Sequence, residues 1–152
     1  RLGYENRKKL RGFYTRNEFN GWDVVQRVHW DQKLAQEVGV PLIYDIGPMR
    51  AAWAAHYCTN YAGDDGFVHR LRYEFRHFNY IGDTTWIRGK ITDAHIDETL
   101  GPCIEVDLWG ENQRGQENLR GSATILVASR AHGYVQLPSP PPMPEYRSNL
   151  NS

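Results

Sequence analysis

The chain has 152 residues, the size of one domain, and its 40% hydrophobic and 24% charged residues exclude a disordered or low-complexity segment. Eighteen Lys and Arg balance eighteen Asp and Glu, so the overall charge gives no reason to expect a nucleic-acid partner. No apolar run nears the ~20 residues of a membrane-spanning helix, and the two cysteines, Cys58 and Cys103, make neither a CxxC motif nor a disulfide scaffold; no membrane and a reducing cytoplasm are the expectation.

Along the chain, Thr15 to Glu18 has the spacing of a helix capping box. A short helix is expected from Asp31 to Val38, with Asp31 as N-cap, Leu34, Ala35 and Val38 on one face, and Gly39 and Pro41 as stop. Pro48 suits the first turn of a longer helix. Met49, Ala52, Trp53, His56, Tyr57 and Asn60 follow at three- and four-residue steps. Small alanines at 51, 52, 54 and 55 let that helix pack closely, so it is expected to be buried.

After Gly66 the period changes to two. Phe67, Leu71, Tyr73 and Phe75 alternate with Arg70, Arg72, Glu74 and Arg76, which reads as a strand with one buried and one charged face. Asn79 to Asp83 turns the chain. Further strands are expected over 84–93, 103–111 and 119–128, with a short edge piece at 134–137. Residues 138–152 read as a Pro-rich tail unable to join a ladder. Nineteen aromatics (5 Trp, 9 Tyr, 5 Phe) fit a core built by strands and rings. One helix followed by antiparallel strands is an α+β arrangement, a curved sheet around a single helix, in one domain over residues 1–137.

Three places offer chemistry. His29, just before a helix and near Asp23 and Asp31, has the setting of a general acid or base, or of a histidine that only packs. Gly47, opening the long helix, presents free N–H groups and the positive end of the helix dipole to a developing oxyanion, unless Asp45 merely caps the helix there. The row Arg70, Arg72 and Arg76 suits phosphates, or is a solvated strand face. No histidine pair has metal-ligand spacing, so no metal is expected. Cys58 in the long helix reads as inert filling.

Val28-His29-Trp30-Asp31 with Ala35, then Gly39-Val40-Pro41, then Asp45-Ile46-Gly47, resembles the MaoC-like acyl dehydratase and (R)-specific enoyl-CoA hydratase family. Gly82-Asp83-Thr84, Asn112-Gln113-Arg114-Gly115 and Gly121-Ser122-Ala123 extend the likeness over residues 20–137. The resemblance implies a hot-dog fold and the hydration of a 2-enoyl thioester or the dehydration of a 3-hydroxyacyl one, carried by CoA or an acyl carrier protein. It implies no cofactor beyond that thioester substrate. His29 takes the place of the family's histidine and Gly47 that of its oxyanion donor. The family's aspartate falls on Val24, with Asp23 one position earlier, so Asp23 or Asp45 is the expected carboxylate partner of His29. Two alternatives follow from the same resemblance: a non-catalytic acyl-CoA-binding subunit of a heteromeric hydratase, or an acyl-CoA thioesterase using Asp45. The expected partner is a second copy or another hot-dog subunit, with strands paired across a two-fold.

Overall fold

The computed structural model describes residues 5–10, 13–137 and 139. The Pro-rich tail expected over 138–152 lies outside them apart from Ser139. The first elements are the short strands β1 (Tyr14–Arg16) and β2 (Trp22–Val24), paired antiparallel with Thr15 opposite Asp23. Thr15 to Glu18 therefore starts a hairpin and not a helix. The local competitor that wins is Asn17, whose side-chain Oδ1 accepts from the main-chain N–H of Phe19 at 3.1 Å and of Gly21 at 2.9 Å, closing a turn where a capped helix would have begun.

A 3₁₀ turn over Val25–His29 leads to helix α1 (Gln32–Glu37), where Asp31 Oδ1 accepts from Leu34 N–H at 3.0 Å. Leu34 and Ala35 are buried as expected, but Val38 is 52% exposed, because the helix has ended and Gly39 turns away at positive φ. Helix α2 (Gly47–Ala62) starts where the proline predicted. Its buried face is Arg50, Ala54 and Cys58, at steps of four. That corrects the expected face: Met49 is 46% exposed, and Ala52, His56 and Asn60 point to solvent. The helix is half-exposed, packed on one side only.

The main sheet contains β3 (Phe67–Phe75), β4 (Thr85–Asp97), β5 (Gly101–Asn112) and β6 (Glu117–Leu126). Their order is β3-β6-β5-β4, and all pairs are antiparallel. Within the described residues 134–137 form no strand; the local pairing there is a single bridge between Ser129 and Gly133. On the central strands the inner face follows a period of two. Val106 and Leu108 of β5 and Leu119, Ala123 and Ile125 of β6 pack against Ala54 and Cys58 of α2. Each fully buried Leu or Ile there contributes about 1.5–3 kcal/mol of apolar burial. Gly121 keeps β6 close to β3, since a Cβ at that position would collide with the Arg72 carbonyl oxygen.

On β3 the pattern overstates burial. Leu71 joins the core, but Tyr73 and Phe75 remain 43% exposed. β3 is an edge strand, and α2 covers only its inner side. Both cysteines are buried and free. Burial pushes the Cys58 thiol above its usual pKa, which keeps it protonated and unreactive. Among the described residues no helix is long and apolar enough to cross a membrane.

Candidate functional site

A cavity of about 550 Å³ opens at the start of α2, with His29, Gly47, Phe75, His77 and Tyr80 in its wall. Three segments meet there. Ile43 to Asp45 runs antiparallel to Asn79 to Ile81, through Ile81 N–H to Ile43 O at 3.0 Å, a Tyr44–Tyr80 bridge, and Asp45 N–H to Asn79 O at 2.9 Å. The third segment is the last residue of β3 with the three that follow it.

Arg50 locks these segments together. Its Nε donates to Asp45 Oδ2 at 2.7 Å and its Nη2 to Asp45 Oδ1, while Nη1 donates to the carbonyl oxygens of His77 at 2.8 Å and Asn118 at 2.7 Å. Both side chains of the pair are almost wholly buried. The Phe75 ring lies 4.8 Å from the guanidinium carbon and covers it. Beneath this pair Asn79, Thr85 and Asn118 close a small buried network: Thr85 Oγ1 donates to Asn79 Oδ1 at 2.8 Å, and Asn118 Nδ2 donates to both. The helix signal from Pro48 was readable in the sequence. That Arg50 faces inward was not, since arginine ranks among the most exposed residue types unless paired.

His29 is half-buried and edge-on to Tyr44, ring centroids 4.6 Å apart. Its Nδ1 lies 3.1 Å from the Tyr44 carbonyl oxygen. A carbonyl can only accept, so Nδ1 carries the hydrogen and Nε2 is left as the basic nitrogen. Gly47 is the first residue of α2 and shares the cavity wall. The N-cap is Ile46, which has no capping side chain. Pro48 lacks an N–H, and Met49 N–H is bonded to Ile46 O at 2.9 Å, so among the described residues Gly47 contributes the N–H that the helix start leaves over. A Cβ on Gly47 would come to 3.0 Å from Phe75 Cε2, so the glycine serves a close approach of ring to backbone and not a special φ.

Two expectations about this site are corrected. Asp45 neither caps the helix nor meets His29, because its carboxylate is committed to Arg50. Asp23 sits in β2, with Oδ1 accepting from Val24 N–H at 2.8 Å, and lines a separate groove of about 590 Å³ with Arg27 and Trp30. Among the described residues no hydrogen bond or ion pair joins His29 to a carboxylate. The arginine row also splits. Arg70 and Arg72 lie on the sheet face opposite α2, with Arg70 Nη2 donating to Thr124 Oγ1 at 3.1 Å, while Arg76 lies in the cavity wall. His77, Tyr80, Phe78 and Gln116, which no motif marked, complete the wall.

No protein-family model matches the chain, and no curated protein matches it in sequence. Solved structures do match. A MaoC-like dehydratase from Rhodospirillum rubrum aligns with a TM-score of 0.60 at 14% identity, over 74% of this chain and 77% of that one. The R-hydratase PhaJ1 from Pseudomonas aeruginosa aligns at 0.59 and 17%, over 78% and 74%. The ChsH1-ChsH2 complex from Mycobacterium tuberculosis aligns at 0.58 and 20%, over 67% and 76%. The fold is therefore the hot-dog fold that these MaoC-like dehydratases and (R)-hydratases have, as the sequence resemblance implied.

Proposed function

We propose that the chain binds an acyl thioester in the cavity at the start of α2 and there hydrates a 2-enoyl thioester, or dehydrates a 3-hydroxyacyl one. The observation that carries this reading is the meeting of two unlike groups in one cavity: an imidazole whose basic Nε2 is set by the Tyr44 carbonyl, and a helix-start N–H at Gly47. In the proposal Gly47 N–H holds the thioester oxygen as negative charge develops on it. His29 moves a proton at the α-carbon. The aromatic wall of Tyr44, Phe75 and Phe78 takes the acyl chain, and Arg76 at the mouth meets phosphates of a CoA carrier. A partner subunit pairing along the free edge of β3 would stand beside Phe75 to Phe78 and complete the mouth.

A second reading has a specific observation behind it: neither Asp23 nor Asp45 meets His29. On that reading the chain is the acyl-binding subunit of a heteromer whose partner supplies the carboxylate. The ChsH1-ChsH2 complex from Mycobacterium tuberculosis, to which the chain is similar in fold, is built of two components. The thioesterase alternative loses support, because it needs a free carboxylate at the helix start and Asp45 is bound by Arg50.

Loss of enoyl absorbance from crotonyl-CoA and from a longer 2-enoyl-CoA tests the proposal. The purified chain should hydrate at least one of them, and His29→Ala should lower turnover by about 100-fold or more. A wild-type chain that binds acyl-CoA in equilibrium dialysis yet never hydrates it gives the subunit reading instead.

A further inference from the structure

Hydration takes one proton from water and puts one on carbon, and His29 presents one free ring nitrogen for the two tasks. The other titratable groups around the cavity are largely committed. Asp45 and Arg50 neutralise each other, Arg76 is paired with Glu74 at 2.8 Å, and Tyr44 and Tyr80 are phenols. His77 is left.

His77 follows the end of β3 by two residues and is exposed to solvent. Its backbone is fixed by Arg50 Nη1, which donates to the His77 carbonyl oxygen at 2.8 Å. Its ring is fixed separately, since Nδ1 lies 2.8 Å from the carbonyl oxygen of Glu117 at the start of β6. As with His29 and Tyr44, a carbonyl partner puts the hydrogen on Nδ1 and leaves Nε2 basic. One cavity thus has two imidazoles, from segments far apart in the chain, each with its tautomer set by a main-chain oxygen.

Building on the hydratase reading, we propose that His77 is the second acid–base group of this site, filling the role expected of Asp23 or Asp45. The open position of His77 fits the task of activating water, and the half-buried His29 fits protonation of the substrate carbon. Water's O–H bond breaks toward His77 Nε2 and its oxygen bonds to C3. The C2=C3 electron pair moves through the carbonyl carbon to the thioester oxygen held by Gly47 N–H. C2 then takes the proton from Nε2–H of protonated His29 as the carbonyl re-forms. Turnover leaves His77 protonated and His29 neutral, and exchange with solvent restores both. Dehydration runs the same steps backward.

The test uses the full chain in its native assembly, with crotonyl-CoA and a longer 2-enoyl-CoA. His77→Asn keeps an N–H near the position of Nδ1 for the Glu117 carbonyl and removes the basic Nε2. Its kcat should fall about 100-fold with acyl-CoA affinity unchanged. The acid limb of the kcat/KM profile should vanish, because that limb reports a base that must be neutral. Added imidazole should restore part of the rate to His77→Ala, a result that a merely structural role would not give. Wild-type kcat and an intact acid limb in His77→Asn, alongside an inactive His29→Ala, would overturn the role of His77 and leave the hydratase reading standing. A wild-type assembly that turns over neither thioester overturns both.

Discussion

Arg50 and Arg27 are about equally hidden, 3% and 6% exposed, and are used in opposite ways. Arg50 spends its guanidinium on four hydrogen bonds, two to Asp45 and one each to the carbonyls of His77 and Asn118. It ties the segment before α2 to the end of β3, both in the cavity wall, and to the start of β6 behind them. Arg27 makes one hydrogen bond, from Nη2 to the Arg16 carbonyl oxygen at 2.8 Å, and its Nε sits 3.5 Å from Asp31 Oδ2. Its Nε and Nη1 have no hydrogen-bond partner. It only pins the β1–β2 hairpin to the 3₁₀ turn. Burial alone therefore does not identify the arginine that organises a site; the number of segments it joins does. His29 lies between the two regions, in Arg27's turn by sequence and in Arg50's cavity by its ring.

The contrast predicts unequal losses. Arg50→Met leaves the Asp45 charge buried without its partner and takes a donor from the His77 carbonyl, while the Asn118 carbonyl keeps Arg76 N–H at 3.1 Å, and should cost about 3–5 kcal/mol. Arg27→Met gives up one hydrogen bond and a 3.5 Å ion pair with the partly exposed Asp31 while removing two buried nitrogens that lack hydrogen-bond partners, and should cost about 1 kcal/mol or less. Urea midpoints at pH 7 compare them directly. Equal shifts in the two variants would show that Arg50 is no more structural than Arg27.

The sequence exposed what depends on local pattern and hid what depends on pairing. The strand cores were legible because Val106, Leu108, Leu119, Ala123 and Ile125 obey a strict period of two against one helix. The face of α2 was misread because Arg50 counts as polar in any pattern and turns inward only for Asp45, five residues earlier. Tyr73 and Phe75 alternate like core residues, yet pattern does not say that β3 is an edge. In the site, the resemblance pointed to His29 and Gly47, which share the cavity. It placed the carboxylate wrongly, since Asp23 follows the hairpin into another groove. His77 left no signal: its ring is held by the main chain of Glu117, forty residues on, and a main-chain acceptor has no sequence identity.

A milder perturbation separates scaffold from site inside the same cavity. In Gly47→Ala the new Cβ meets Phe75 Cε2 at 3.0 Å, and the half-exposed ring has room to shift. Stability should change by about 1 kcal/mol or less. The displaced ring narrows the space next to Gly47 N–H, so on the proposed function turnover or acyl-CoA affinity should fall about 10- to 100-fold. If Gly47→Ala instead destabilises as much as Arg50→Met with function per folded molecule intact, the glycine is part of the scaffold and not of the binding wall.

The smallest effect belongs to another ion pair, Asp83 with Arg114, where two fragments of the family likeness meet. Asp83, in the turn before β4, accepts from Arg114 at 2.7 and 2.8 Å, from Gln113 at 2.8 Å and from Tyr80 N–H at 3.0 Å. The Arg114 hydrogen bonds come first among the causes that hold its pKa at about 2, against an ordinary 3.8. A carboxylate whose pKa falls on folding is bound more tightly as the anion in the native state. Its contribution is complete above pH ~4 and is lost as the pH drops toward 2. Stability measured by urea should therefore decline over that window, and Asp83→Asn should remove this part of the decline while lowering the midpoint slightly at pH 7. Arg114 is half-exposed, so 1 M salt should shrink the difference between wild type and variant at pH 7. A slope between pH 4 and 2 that is the same in both proteins would overturn the assignment of this acid sensitivity to Asp83.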